Sequence, residues 1–448
     1  MERSLAPSPI ALRPHPAAGH GLPRRWRLAA RGLLAALPLL LAACTEELVC
    51  TADQAVCDGR CASLRSDPAS CGECGRACGP GQSCQAGLCC AGGQCPPAVY
   101  AACFNNATVQ GATADLQAVG APVEVESGPI SLAWDGATLW VANSISNTLD
   151  GLAATPAGLA PVGPLPSVAV PPSGPFNDLE LVAAWQGLLY VSNAAVNSVV
   201  VVDPARVGTA ASPIVGEIPL GAGAFPQGMA FAGGKGYVAL NGTDRIAVLD
   251  LAARTVAKSI DLSGLAVPWG GRAMPSRLLV HGSRLYAALW NLDASWSPAG
   301  PGLVAVIDTS SDSLVPGVNP VVLATGSGAQ PECLDPAGLA LHGSTIYVTC
   351  GFFPYASPVV TGAAIVPVDV SGTSPRVLAP LVLDGTTPGA GTAPGAITFC
   401  GDVAFAGDRA SGKVLRFDPA QGAVTGQAEL CVPRAGGSGY VADVACGR

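Results

Sequence analysis

Leu188-Leu189-Tyr190-Val191-Ser192-Asn193, followed five residues later by Val199-Val200-Val201-Val202-Asp203, is the stretch on which the fold turns. The β-branched and aromatic residues favour extended backbone, and the small polar break between the two runs marks a connection. The same design returns as Gly236-Tyr237-Val238-Ala239-Leu240-Asn241 and Ile246-Ala247-Val248-Leu249-Asp250. An apolar run and a tight turn precede each copy, as in Ala133-Trp134-Asp135-Gly136 and Val280-His281-Gly282-Ser283, where glycine can take the positive φ of a two-residue hairpin. Each unit therefore reads as strands A, B and C of a meander, with room for a fourth strand D.

Weaker copies centre on Tyr100, Trp140, Tyr286, Tyr347 and Phe405, so that seven copies recur at spacings of 40, 50, 47, 49, 61 and 58 residues. Such spacing suits the four-stranded blades of a β-propeller. The units resemble YVTN-type propeller repeats, and the resemblance implies a ring used for binding or display. The first copy lacks an A strand, whereas the chain ends in a spare one, Gly439-Tyr440-Val441-Ala442-Asp443-Val444-Ala445. The expected fold is all-β, a seven-bladed β-propeller whose C-terminal strand closes the first blade and protects its edges.

Upstream of the ring, twelve of the 17 cysteines fall between Cys44 and Cys103. The run Ser70-Cys71-Gly72-Glu73-Cys74-Gly75, continued by Cys78, Cys84 and Cys89, resembles the cysteine-rich repeat of stigma-specific-type proteins, with Ser70 where that family usually has Asn. The resemblance implies a small disulfide module without known chemistry. Further upstream, Arg24, Arg25, Arg27 and Arg31 precede the apolar run 32–43. As a helix that run would span about 18 Å, short of a hydrocarbon core of about 30 Å, so it reads as an export signal and not as a span. It ends in Leu41-Ala42-Ala43-Cys44, which resembles the lipobox of bacterial lipoproteins. The resemblance implies cleavage before Cys44 and diacylglycerol on its thiol, and Thr45 in place of Asp points to the outer membrane. The domains expected are a signal peptide over 1–43, a lipidated cysteine-rich module over 44–96 and the propeller over 97–448, in a monomer.

Export places the thiols where disulfides persist, which favours cross-links over zinc. Ten cysteines from Cys50 to Cys95 pair among themselves in an order left open. In the ring, Cys333 and Cys350 occupy one rim of a blade and Cys103 and Cys431 the matching places in the closing blade; Cys400 is left for Cys446.

Removal of residues 1–43 leaves 17 basic and 30 acidic residues, a net charge of −13, so nucleic acid is not an expected partner. His281 and His342, the histidines of the remaining chain, sit at equivalent A–B turns. Asp203, Asp250, Asp308, Asp369 and Asp418 end C strands, where aspartate makes Asx turns, and Asp308-x3-Asp312 is too sparse for a calcium loop. No catalytic residue, metal or cofactor is assigned. The irregular connections that carry Trp269, Trp290, Trp296, Phe352, Phe353 and Tyr355 share one rim, and aromatic residues gathered there suit a protein or carbohydrate ligand. The expected function is a membrane-anchored, non-enzymatic binding or display module. The alternative is a lyase or lactonase with a metal-assisted site in the central channel, for which the B-strand ends offer Asn143, Asn193, Asn241 and Asp408.

Overall fold

The computed structural model describes residues 50, 54–72, 74–85, 87–93, 95–162, 168–169, 178–324, 333–352, 360–383, 392–433 and 439–447. From Val99 onward they form seven antiparallel sheets arranged as blades. Blade 1 takes its inner strand A from Val441–Cys446 and strands B, C and D from Val99–Cys103, Thr108–Ala112 and Ala118–Glu124. In blades 2 to 7 strand A is Pro129–Trp134, Leu179–Trp185, Pro226–Ala232, Pro275–His281, Pro336–His342 and Pro394–Cys400. The matching B strands are Leu139–Asn143, Leu188–Asn193, Lys235–Leu240, Arg284–Leu289, Thr345–Phe352 and Val403–Asp408. Each A strand packs against the A strands of both neighbouring blades, and the circuit closes from blade 7 to blade 1.

The A–B hairpins are tight for the reason given by their glycines. Gln186-Gly187 and Gly233-Gly234 each link two paired strands with positive φ at both central residues, 49° and 77° in the first and 55° and 78° in the second, as a type I′ turn requires. At the same end of the sheets, each C-strand aspartate caps the turn that follows it. Asp203, Asp250, Asp308, Asp369 and Asp418 accept hydrogen bonds from the backbone N–H two residues on, at 3.1, 3.0, 2.9, 3.0 and 2.9 Å. Asp312 is paired elsewhere, to Lys235 Nζ at 2.7 Å and Tyr237 Oη at 2.6 Å.

The core is not one mass but seven apolar slabs, one between each pair of adjacent sheets. The repeat aromatic of each B strand enters the slab shared with the following blade: Tyr100 between blades 1 and 2, Trp140 between 2 and 3, and so on to Phe405 between 7 and 1. All seven rings are buried. Burying a large apolar side chain contributes roughly 1.5 to 3 kcal/mol, so the aromatic that defines the sequence period is also what holds consecutive blades together.

Cysteines stitch the ring where it closes. Cys103 pairs with Cys431 at the rim of B–C connections, and Cys400 pairs with Cys446 at the opposite rim of A–B turns, so the seam between blades 7 and 1 is crossed twice. Cys333 pairs with Cys350 in blade 6. Before the ring, two short hairpins, Ala55–Cys57 with Arg60–Ala62 and Gln82–Gln85 with Leu88–Ala91, are cross-linked by Cys50–Cys61, Cys57–Cys74, Cys71–Cys84, Cys78–Cys89 and Cys90–Cys95. This module sits against the A–B rim of the seam, where Arg65 lies 3.3 Å from Asp402 and a cleft of about 430 Å³ runs between Leu64, Arg76, Phe399 and Gly447. His342, at the neighbouring A–B turn, stacks on Phe399. Among the described residues no helix is long and apolar enough to cross a membrane.

Candidate functional site

The B–C rim carries two candidate features, an aromatic edge and the mouth of the central channel. At the edge, Trp269 ends a short 3-10 turn, Val267–Trp269, and lies half-buried over Gly300, where an added Cβ would meet its ring at 2.4 Å. Trp290 is half-buried beside Met274, and Phe352 ends the B strand of blade 6, also half-buried. Trp296 is different. It is 59% exposed, at the tip of a turn organised by Asp293, whose carboxylate accepts from the N–H groups of Ser295 and Ser297 and from the Ser295 hydroxyl. Phe353 and Tyr355 lie outside the described residues. The structure thus brings Trp269, Trp290 and Trp296 to one corner of blade 5, with Trp296 alone of the three presented to solvent.

The B-strand ends do not line the channel. Asn143, Asn193, Asn241 and Asp408 are fully buried between blades, with Asn143 donating to Asp150 at 2.9 Å and Asp408 accepting from the N–H groups of Ala393 and Ala410. They fasten turns.

The channel mouth is built instead from the first residues of the A strands. Pairing with strand B slips by one residue near the start of every A strand, between Pro129 and Ser131, Leu179 and Leu181, Pro226 and Met229, Pro275 and Leu278, Pro336 and Gly338, Pro394 and Ile397, and Val441 and Asp443. A bulge re-aims the side chains beside it. Here seven bulges ring the mouth, and the slipped segments hold Ser131, Glu180, Gln227, Ser276, Arg277 and Asp443. Blades 6 and 7 contribute only Ala337, Gly338, Gly395 and Ala396 at the same level.

Arg277 acts electrostatically on both Glu180 and Asp443, which come from blades on either side of it. Asp443 is well satisfied, accepting from the N–H groups of Leu132 at 2.8 Å and Val444 at 2.9 Å and from Ser131, although burial raises its carboxyl above the usual range. Burial first, and then the neighbouring Asp178, push the Glu180 carboxyl up to about 8 against the opposing pull of Arg277 and a hydrogen bond from Gln227. Arg277 Nε donates to the Ala337 carbonyl at 3.3 Å, but its Nη1 is buried with no hydrogen-bond partner. Leaving such a donor unsatisfied costs about 1 to 3 kcal/mol, more when it is charged.

The sequence reading did not find this cluster. Its signal was a charge inside an apolar inner strand, as in Leu179-Glu180-Leu181-Val182 and Ala442-Asp443-Val444. The carboxylates of the mouth do not converge on one point. Among the described residues only Cys71, Cys78 and Cys89 lie close enough together to share a metal ion, and each is committed to a disulfide.

A model of the stigma-specific STIG1-like protein family matches residues 41–92, in keeping with the resemblance of the cysteine string. No curated protein is similar to the chain in sequence. Among solved structures, Kuenenia stuttgartiensis hydrazine synthase is 22% identical with a TM-score of 0.50, covering 67% of this chain and 80% of its own. Virginiamycin B lyase from Staphylococcus aureus is 12% identical with a TM-score of 0.46 over 68% and 85%. A streptogramin B lyase is 14% identical with a TM-score of 0.47 over 72% and 85%. At these identities the likeness is one of fold.

Proposed function

We propose that the chain is a lipid-anchored binding module of the cell envelope, a YVTN-type propeller tethered to the outer membrane through Cys44 that offers its B–C rim to a protein or carbohydrate. The observation that carries this reading is the division of labour between the two rims. The disulfide module occupies the A–B rim, whereas the exposed Trp296 and the bulged channel mouth lie on the opposite one. A tether entering through the module reaches the ring from the A–B side and leaves the other rim free. The cysteines add support: sixteen of 17 are paired, which suits an oxidising compartment and leaves Cys44 for acylation.

Two variants test it. Cys44→Ser is expected to move the protein from the detergent-rich to the aqueous phase in detergent partitioning of whole cells; continued partitioning with the membrane would remove the anchor from the reading. Trp296→Ala is expected to lose a partner captured by cross-linking on intact cells, and equal capture by both proteins would remove the rim.

A second reading, a lyase or lactonase acting in the channel, draws on Glu180, an acid poised near neutral pH beside an arginine. In that reading Glu180 supplies the proton and Arg277 stabilises the developing anion. Ring opening of a lactone panel by the wild type, abolished in Glu180→Gln, would favour it over simple binding; no turnover by the wild type would set it aside.

A further inference from the structure

The channel mouth has its own chemistry, separate from the aromatic edge. Its cation, Arg277, points a buried donor at no acceptor, while the nearest carboxylate of blade 1, Asp443, is saturated by backbone N–H groups and Ser131. What the site lacks is an acceptor. The A-strand starts of blades 6 and 7, Ala337, Gly338, Gly395 and Ala396, carry no polar side chain of their own, and Arg409 packs over Gly395.

We propose that the mouth of the channel binds a carboxylate, entering from the B–C rim and held by the Arg277 guanidinium together with the Glu180 and Gln227 side chains. A cationic ligand would face Arg277 and leave its donor unpaired. A phosphate dianion would bring two negative charges to Asp178, Glu180 and Asp443 with a single guanidinium to offset them. A carboxylate brings one negative charge and two acceptor oxygens, one for Arg277 and one for the proton that Glu180 keeps at neutral pH.

The same geometry couples binding to pH. Below about 8 the Glu180 carboxyl donates to the ligand, and above it the two carboxylates repel. The other charges facing the mouth are Asp178 of blade 3, Arg277 of blade 5 and Asp443 of blade 1. The A strands of blades 2, 4, 6 and 7 add no charge beside it, and at the start of blade 6 Arg409 pairs with Asp335 at 3.3 Å through its Nη atoms, its Nε buried without a partner.

The test is calorimetric titration of the full lipidated chain in detergent micelles with acetate, with galacturonate, and with trialanine beside its C-terminal amide. At least one carboxylate is expected to bind saturably at neutral pH, and the one that binds best distinguishes a small acid, an acidic sugar and a peptide terminus as sources. Arg277→Gln is expected to weaken it at least about tenfold. Glu180→Gln is expected to keep binding but to lose the decline above about pH 8, because the amide remains a donor. Silence from all three probes, or unchanged affinity in a folded Arg277→Gln protein, would overturn the proposal. Should Arg277→Gln not fold, the wild type decides: affinity that stays flat from about pH 6 to about pH 9 would overturn it equally. Trp296→Ala is expected to bind the probes as the wild type does, so that failure here and failure of the rim reading register separately.

Discussion

Glu180 is an acid that its surroundings keep protonated, and the sign of its effect on stability follows. Its carboxyl titrates near 8 in the folded protein and near the ordinary 4.5 when unfolded, so between those values the folded chain holds the extra proton and stability falls as pH rises. Glu180→Gln removes that penalty. Chemical denaturation is expected to show the variant more stable than the wild type by at least about 1 kcal/mol at pH 8.5, with the difference gone at pH 4. Trp296→Ala is expected to leave stability within about 0.5 kcal/mol, as for an exposed side chain without buried contacts. At this scale the sequence was readable where chemistry is local. Each C-strand aspartate binds a backbone N–H two residues on, and adjacency is visible in one dimension. Glu180, Arg277 and Asp443 become neighbours only when three blades meet, and no spacing rule connects them.

The inner strands show how an element sets a site. Gly228 lies in strand A of blade 4, where an added Cβ would come within 2.4 Å of the Ser276 carbonyl and 3.0 Å of the Arg277 Cα. A side chain there must push one A strand off the next. Gly228→Val is therefore expected to destabilise by about 1 to 3 kcal/mol, measured by denaturant unfolding, and to shift the Arg277 backbone with it. Strands B and C were legible because an aromatic and its β-branched neighbours must fill a slab between two sheets, which fixes both composition and period. The bulges of strand A were not. A one-residue slip leaves the alternation of a short apolar run nearly unchanged, so Pro275-Ser276-Arg277-Leu278 reads as an ordinary strand start. Trp269, Trp290, Trp296 and Phe352 fall on the B–C rim, but the burial of Trp269 depends on Gly300, which no local spacing connects with it.

In the molecule as a whole, stability accumulates around a ring and is sealed at one seam. Removing Cys103 and Cys431 together opens a loop that spans 328 residues, and loss of about 3 to 5 kcal/mol is expected by thermal or denaturant unfolding. Arg65→Ala, by contrast, breaks only an exposed ion pair and is expected to change stability by less than about 0.5 kcal/mol. Blade number and closure were legible because each blade announces itself with one aromatic and because a strand was missing at one end and spare at the other. The seat of the module on the A–B rim was not, since Arg65 and Asp402 are unremarkable surface charges until the fold brings them together. Closure also orders events in time. While the chain is being made, the edge of Val99–Cys103 stays open until Val441–Cys446 emerges to cover it. Until it does, however complete the other blades, the first blade is an unfastened clasp with a sheet edge bare to its neighbours.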